Sequence, residues 1–315
     1  MELIELKEVS KHYNKLEILR NVNLVIEEGD MYGIIGESGS GKTTLLNLIT
    51  GFIQPTYGTV QYYSHATQGP KDLNKNLHKL KRHIGFTPQH NSFYPKLTIK
   101  ENIIHFGKLY KVPHETLVTN IKNLLQVTRL FDHRDKLAEH LSEGMQRRLD
   151  IACSLIHKPK ILVLDEPTAD LDPLLQTEVL KLLKEVNNQG VTIVMASHHL
   201  DSVENVCNKV AIVQNGQVDL HGTIEEVKKP FLKDTFTINI RPGSKKEYII
   251  SLLKRMPVQK IIDQGNQLVI YPTNIEKTIN SLLLLIKEEN LYFNDMDVRK
   301  PSLNEIFEKI HQRQK

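Results

Sequence analysis

The sequence predicts an α/β domain over residues 1–230 and a small α+β domain over residues 231–315. Two observations favour this fold class. In the first part, apolar strands that read as buried on both faces alternate with helical segments, which is typical of a parallel sheet covered by helices. In the last part, strands and helices follow in the order βαββαβ, the split βαβ or ferredoxin-like pattern.

Three apolar strands of the first domain end in polar residues. The strands at 31–36, 161–165 and 191–196 run into a glycine-rich loop, two acids and a serine-histidine pair, respectively. Ligands of open α/β sheets bind beyond the carboxyl ends of the strands. We therefore expect these three strand ends to meet at one site.

A helical insertion is predicted between residues 95 and 158. Thr98 precedes an apolar helical run and has Glu101 three residues later, which is typical of a capped helix start. Residues 116–131 and 142–157 follow, with apolar residues three and four positions apart.

The second domain begins after the polar segment at 228–230, where Pro230 favours a break. Its predicted elements are strand 235–241, helix 244–256, strand 258–263, strand 267–272, helix 274–289 and strand 291–299. A last helix is predicted to begin at Pro301, since proline is favoured in a first helical turn.

The composition of the 315 residues is that of a globular protein. Hydrophobic residues make up 40% and charged residues 25%, which excludes a wholly disordered chain. Two cysteines are too few for a disulfide framework and indicate a reducing compartment. No apolar run approaches the ~18 residues of a membrane span, and the N-terminus does not resemble a signal peptide. We expect a cytosolic protein that contacts a membrane only through a partner or through a surface of its own.

The net charge of +4 lies in the second domain. Residues 1–230 carry 27 basic and 27 acidic residues, whereas residues 231–315 carry 14 and 10. No dense basic block accompanies this excess, so a solvated surface is favoured and no nucleic-acid partner is expected.

A phosphate-binding loop follows the first of the three strands. The pattern G-x-x-x-x-G-K-[ST] is complete and leads into a helical run, which is the context that this motif requires. Backbone N–H groups of such a loop surround phosphates, the lysine bridges the β- and γ-phosphates, and the hydroxyl after it binds Mg²⁺. The predicted nucleotide-binding residues are Gly36, Glu37, Ser38, Gly39, Ser40, Gly41, Lys42, Thr43 and Thr44.

Two acids end the buried strand at 161–165. A carboxylate there is costly unless it serves a cation, so Asp165 is predicted to act with Thr43 in holding Mg²⁺. Glu166 is predicted to be the base that orients the attacking water. A P-loop NTPase core with a helical insertion accounts for the spacing between Lys42 and Asp165.

A third motif precedes the acid pair. Residues 141–148 read Leu-Ser-Glu-Gly-Met-Gln-Arg-Arg, and Ser142 and Gly144 open a predicted helix whose N-terminus can bind an anion. With the phosphate loop and the acid pair, this segment resembles the signature of the ATP-binding-cassette (ABC) ATPases. Glu143 and Met145 depart from the Leu-Ser-Gly-Gly-Gln form and resemble the exporter branch. The resemblance implies that Ser142 and Gly144 complete the nucleotide pocket of an opposing subunit.

The resemblance implies roles for four further residues. It implies that Gln89 contacts Mg²⁺ or the attacking water, that Asp170 contacts the opposite subunit, and that His198 lies beside the γ-phosphate. It also implies that Tyr13 stacks on adenine. His199 follows His198, and strand alternation predicts that its side chain points the other way, which argues against a two-histidine metal site.

The function implied is that of an ATP-hydrolysing subunit with ATP and Mg²⁺ as ligands. Two such subunits, identical or not, would close on ATP and drive a separate transmembrane permease from the cytoplasmic face of the membrane. The end of the chain, from Pro301 to Phe307, is similar to the close of ABC-2-type exporter ATPases. Two alternatives stay open: an importer ATPase whose tail is regulatory, and a soluble ABC ATPase acting on ribosomes or DNA.

Overall fold

The computed structural model describes residues 1–63, 69–231, 237–242, 246–289, 293–300 and 302–307. The chain divides into two units, Met1–Ile224 and Glu225–Lys315. Each unit has its own sheet and its own hydrophobic core.

The first unit contains ten strands and seven α-helices within the described residues. Its strands are β1 (Glu2–Tyr13), β2 (Leu16–Glu27), β3 (Met31–Ile35), β4 (Tyr57–Tyr62), β5 (Lys71–Asp72), β6 (Ile84–Thr87), β7 (Ile161–Asp165), β8 (Thr192–Ser197), β9 (Lys209–Gln214) and β10 (Gln217–Thr223). Its helices are α1 (Lys42–Ile49), α2 (Leu73–Leu80), α3 (Ile99–Leu109), α4 (His114–Val127), α5 (Glu143–Leu155), α6 (Pro173–Asn188) and α7 (Leu200–Val206). A further helix, α8 (Ile224–Lys228), lies at the division between the units.

The central sheet positions the site. Its strand order is β10-β9-β3-β8-β7-β6, and all neighbours are parallel except the edge pair β10–β9. Every residue of β3, β7 and β8 is buried, as the continuous apolar runs predict. Because β3, β8 and β7 are adjacent and parallel, their carboxyl ends lie side by side.

A second, antiparallel sheet accompanies the central one. Its strand order is β2-β1-β4-β5. The ladder between β1 and β2 is interrupted by four register shifts. The apolar residues of β1, β2 and β4 share one hydrophobic core with α1 and with the central sheet.

The helical insertion follows β6 and contains α3, α4 and α5. The Thr98 hydroxyl accepts from the Glu101 N–H at 3.2 Å, and the Glu101 carboxylate accepts from the Thr98 N–H at 2.8 Å. This reciprocal capping box begins α3 at Ile99, as the sequence predicts. The three helices bury a separate apolar cluster, in which Leu149 and Ile156 are fully buried.

The second unit has the predicted βαββαβ order. Its elements are β11 (Thr237–Pro242), α9 (Lys246–Leu253), β12 (Val258–Asp263), β13 (Leu268–Pro272), α10 (Ile275–Glu288) and β14 (Phe293–Arg299). The sheet order β12-β13-β11-β14, with antiparallel neighbours throughout, is that of a ferredoxin-like fold. A short helix over 303–307 follows. Pro301 and the predicted strand and helix ends at 235–236, 244–245 and 291–292 lie outside the described residues.

None of the helices in the described part of the chain combines the length and the apolar character that crossing a membrane requires.

Candidate functional site

The loop after β3 wraps closely against its surroundings. Gly41 has a φ of 107°, in the left-handed region that favours glycine. A Cβ built at Gly36 would lie 2.3 Å from the Val213 carbonyl oxygen and 2.6 Å from the Ser40 hydroxyl. These positions therefore require glycine, and α1 begins immediately after the loop.

Lys42 is held inside this loop. Its Nζ donates to the carbonyl oxygens of Gly36 at 2.9 Å and Glu37 at 3.0 Å, and its side chain is nearly buried. Burial lowers the pKa of Lys42, and the charges of Glu166 and Asp165 oppose that shift. The two carboxylates keep this ammonium charged, and a charged ammonium at the loop is suited to receive phosphate oxygens.

Asp165 ends β7 beside the start of α1. Burial raises the pKa of Asp165, and the nearby Thr43 hydroxyl opposes that shift. The Oδ1 oxygen of Asp165 is buried and has no hydrogen-bond partner among the described residues. A hydroxyl and an unsatisfied carboxylate oxygen are the oxygen ligands that Mg²⁺ takes, so this pair fits the ion.

Glu166 is linked to His198 across the ends of β7 and β8. Glu166 Oε2 accepts from the His198 backbone N–H at 3.3 Å and lies 2.9 Å from His198 Nδ1. Glu166 Oε1 lies 3.8 Å from Lys42 Nζ. The φ of Glu166 is 48°, and its N–H donates to the Ala196 carbonyl at 3.0 Å. A non-glycine residue held in this region is strained, which is frequent at active sites.

A cleft of about 540 Å³ opens at these strand ends. Its lining residues are Ile18, Ser38, Gly39, Gly41, Lys42, Thr43, Thr44, Gln89, Glu166 and His198. The sequence does not predict Ile18, because no motif marks it. Ile18 reaches the site because its backbone lies beside Gly41. A Cβ built at Gly41 would lie 3.2 Å from the Ile18 carbonyl oxygen.

The remaining predicted residues lie outside the cleft lining. Gly36, Glu37 and Asp165 adjoin Lys42 or Thr43, and Ser40 of the loop is buried. Tyr13, at the end of β1, is 46% exposed, and Lys11 Nζ lies 5.2 Å from its ring centroid.

The signature residues also lie away from the cleft. Ser142 is the exposed N-cap of α5, and Gly144 is packed so that a Cβ would lie 2.7 Å from the Leu175 side chain. Asp170 is exposed. The structure therefore separates the phosphate loop from Ser142, Gly144 and Asp170 of the same chain.

Gln89 is tied to the helical insertion through Arg147. This buried arginine of α5 donates to the carbonyl oxygens of Pro88 at 3.0 Å and Gln89 at 2.8 Å. Arg147 stands within the third motif, but its partners could not be read from the sequence. A shift of α5 would move the Gln89 backbone directly.

The predicted orientation of His199 is wrong. Strand β8 ends at Ser197, so the alternation of strand side chains does not extend to His198 and His199. Their ring centroids lie 4.1 Å apart at an interplanar angle of 38°.

These groups define the class of the protein. The loop and Lys42 can hold phosphates, Thr43 and Asp165 can hold Mg²⁺, and Glu166 with His198 can orient a water against the terminal phosphate. The fold and the cleft are those of a P-loop ATPase.

Comparison with known proteins gives the family. A family model described as "ABC transporter" matches residues 19–169, and one described as "ATP-binding protein DrrA1-3-like, C-terminal domain" matches residues 222–310. The linearmycin resistance ATP-binding protein LnrL of Bacillus subtilis is 27% identical over 97% of each chain. The methionine import ATP-binding protein MetN 3 of Oceanobacillus iheyensis is 34% identical over 84% of this chain and 76% of its own.

A solved structure of an ATP-binding cassette supports the same family. The dimeric post-hydrolysis state of the ATP-binding cassette MJ0796, bound to ADP and Pi, has a TM-score of 0.61 and is 30% identical over 70% of this chain and 99% of its own. The chain belongs to the ABC transporter family, as one of its ATP-binding subunits. It is an ATPase that uses ATP with Mg²⁺, and subunits of this family pair with a transmembrane permease and with each other.

Replacing Asp165 with asparagine is expected to raise the Mg²⁺ concentration for half-maximal ATP hydrolysis by at least about tenfold, because one ion ligand becomes a neutral amide. A Mg²⁺ titration of steady-state hydrolysis measures the change. Asp172, the N-cap of α6, offers the matched control, since Asp172→Asn leaves the ion site intact. Equal Mg²⁺ requirements for both variants would contradict the assignment.

Proposed function

We propose that this chain is the ATP-hydrolysing subunit of an exporter and acts at the cytoplasmic face of the membrane through a separate permease. In this proposal residues 1–230 hydrolyse ATP and residues 231–315 form an accessory domain. The match of the tail to the DrrA-like C-terminal domain is the observation that supports export. The likeness to LnrL, a resistance protein, over 97% of both chains is consistent with it.

An importer is the second candidate, favoured by the 34% identity to the methionine import protein MetN 3. That likeness covers 84% of this chain. The DrrA-like match to residues 222–310 argues for the exporter.

We propose that each nucleotide is held between two subunits. The phosphate loop of one would face Ser142 and Gly144 of the other. Ser142 makes no side-chain capping bond to its own helix and is exposed, which leaves its hydroxyl available to a phosphate. The N–H groups at the start of α5 add positive partial charge there. Asp170 would contact the opposing subunit, and Tyr13 would stack on adenine.

The proposed chemistry follows from the cleft. Glu166 would take the proton of the attacking water. His198 would hold the Glu166 carboxylate in place and would face the γ-phosphate. Lys42 would stabilise the charge on the β- and γ-phosphates, and Gln89 would orient the water or contact Mg²⁺. If contact with the opposing subunit shifted α5, the movement would reach Gln89 of the same chain through Arg147.

Replacing His198 with alanine is expected to lower kcat by about 10²–10³-fold, in the range of losing one active-site stabilising group, with a small change in KM. The Glu166 carboxylate loses its partner at 2.9 Å, whereas the backbone N–H remains. Steady-state hydrolysis measures the effect. His199→Ala is the control on the adjacent ring and should retain kcat within about threefold; equal losses for both variants would refute the role.

Affinity purification tests the whole proposal. Membranes from cells that express tagged Glu166→Gln protein are solubilised with ATP and Mg²⁺, and the co-purifying proteins are identified. A polytopic membrane protein, with substrate leaving the cell in a transport assay, is the expected result. Substrate uptake would favour the importer, and ribosomes or DNA in place of a permease would overturn the transporter proposal.

A further inference from the structure

A second cleft lies at the opposite end of the strands of the central sheet. It has a volume of about 370 Å³, within the range of small-molecule sites. One wall is α4, another is the segment 158–160 before β7, and the third is the end of α6 with Val191 before β8. It therefore adjoins the amino ends of β7 and β8, whereas Lys42, Glu166 and His198 adjoin the carboxyl ends of the sheet. We name it the α4–α6 cleft.

A buried amide lines this cleft with one unsatisfied atom. Asn120 of α4 is 3% exposed, and its Nδ2 donates to the Ile156 carbonyl at 3.0 Å. That bond fixes the orientation of the amide, because a flipped amide would place two acceptors against each other. Asn120 Oδ1 is buried and has no partner among the described residues. This amide therefore ties α4, one wall of the cleft, to the residue that follows α5.

The charges at the cleft have one sign. Lys158 and Lys160 are exposed, and they are the charged residues of its lining. Within the described part of the chain, neither lysine forms an ion pair. The backbone N–H groups of Lys158 and Lys160 donate to Leu155 and His83, which fixes the segment that carries them. Two unpaired ammonium groups carried on one fixed backbone segment favour an anion.

The rest of the lining is largely apolar. Leu124 and Val127 of α4, Leu155 of α5 and Val186 of α6 contribute it. An apolar lining with a few convergent polar groups is the usual form of a small-molecule site.

We propose that the α4–α6 cleft binds a small amphipathic anion. Its apolar body would lie between α4 and α6, and its acidic group at Lys158 and Lys160. Since α4 belongs to the helical insertion and α6 follows β7 of the central sheet, the bound molecule would join these two parts of the ATPase. The proposal stands independently of the direction of transport.

The probe is 8-anilinonaphthalene-1-sulfonate, which has an apolar body, a sulfonate and an anilino N–H, and fluoresces in apolar sites. It is titrated into the full chain with saturating ADP and Mg²⁺, which occupy the phosphate-loop cleft. One saturable site is expected. The double variant Lys158→Glu, Lys160→Glu should weaken binding at least tenfold, because both charges are reversed.

The control carries the same charge change elsewhere. Lys181→Glu, Lys184→Glu places two reversals on the exposed face of α6, outside the cleft lining, and should change affinity less than twofold. Equal weakening by both double variants would overturn the proposal, as would the absence of a saturable site.

A further variant tests the position of the probe. Asn123 is an exposed residue of the lining, and Asn123→Trp should abolish binding by filling the cleft without disturbing the core. Wild-type affinity in Asn123→Trp would show that the probe binds elsewhere and would overturn the assignment.

Discussion

Replacing Lys42 with alanine is expected to weaken ATP binding by about 30- to 150-fold. Charge-assisted hydrogen bonds contribute roughly 2–3 kcal/mol, and each 1.4 kcal/mol is about a factor of ten in affinity. The geometry supports a value in this range, because Lys42 Nζ is already held in the loop by the Gly36 and Glu37 carbonyls. Little ordering is then needed when phosphate arrives.

The same substitution should not unfold the chain. Burial lowers the pKa of Lys42, which means that the ammonium is held at a cost in the absence of phosphate. The nucleotide-free variant should therefore melt at the temperature of the wild type or above it. Equilibrium titration with a fluorescent ATP analogue measures the affinity, and Lys100→Ala on the exposed surface of α3 is the control. Affinity within threefold of the wild type would be incompatible with the assigned role of Lys42.

Replacing Glu166 with glutamine should have the largest effect on turnover. We expect kcat to fall by about 10²–10⁴-fold, the usual contribution of a general base, while ATP still binds. Glutamine keeps the shape and the acceptor oxygen that faces the His198 N–H, but it cannot take a proton at neutral pH. The ATP-bound dimer should accumulate, because closure is possible and hydrolysis is not.

Steady-state hydrolysis and size-exclusion chromatography with ATP and Mg²⁺ measure both effects. Glu185→Gln on the exposed surface of α6 removes the same charge away from the cleft and should behave as the wild type. Turnover of Glu166→Gln within tenfold of the wild type would exclude Glu166 as the base. A monomer at saturating ATP would argue against the two-subunit site.

Strands that are buried on both faces could be predicted from the sequence. The segments β3, β7 and β8 are short continuous apolar runs, and their polar ends fall where the motifs place them. The βαββαβ order of the second unit was also predictable, because its strands and helices are separate apolar segments of the sequence. In these segments local pattern and tertiary burial agree.

The antiparallel sheet could not be predicted in the same way. Register shifts interrupt the pairing of β1 with β2, so their side chains do not keep a period of two over the whole strand. Ile18 of β2 reaches the cleft only because that strand passes beside Gly41. The error at His199 has a related cause, since the alternation was extended beyond the residue where β8 ends.

The phosphate-loop residues could be predicted because their chemistry restricts the residue type. Only glycine fits where a Cβ would meet the Val213 backbone at 2.3 Å, and only lysine or arginine supplies a cation there. The link from Arg147 to the Pro88 and Gln89 carbonyls is different, because any buried donor of suitable length could make it. Such contacts depend on the packing of α5 and are visible only in the fold.

Disulfide cross-linking tests the two-subunit site most directly. One Glu166→Gln population carries Ser38→Cys in the phosphate loop, and a differently tagged one carries Ser142→Cys at the start of α5. Cys153 and Cys207 give little background, since both are buried and burial raises the pKa of their thiols. Asp135→Cys, whose native side chain is 74% exposed, replaces Ser142→Cys in the control. We expect a cross-linked dimer of Ser38→Cys with Ser142→Cys that forms with ATP and Mg²⁺ and not without nucleotide. Absence of this dimer with ATP, or equal yields with the Asp135→Cys control, would refute the two-subunit site.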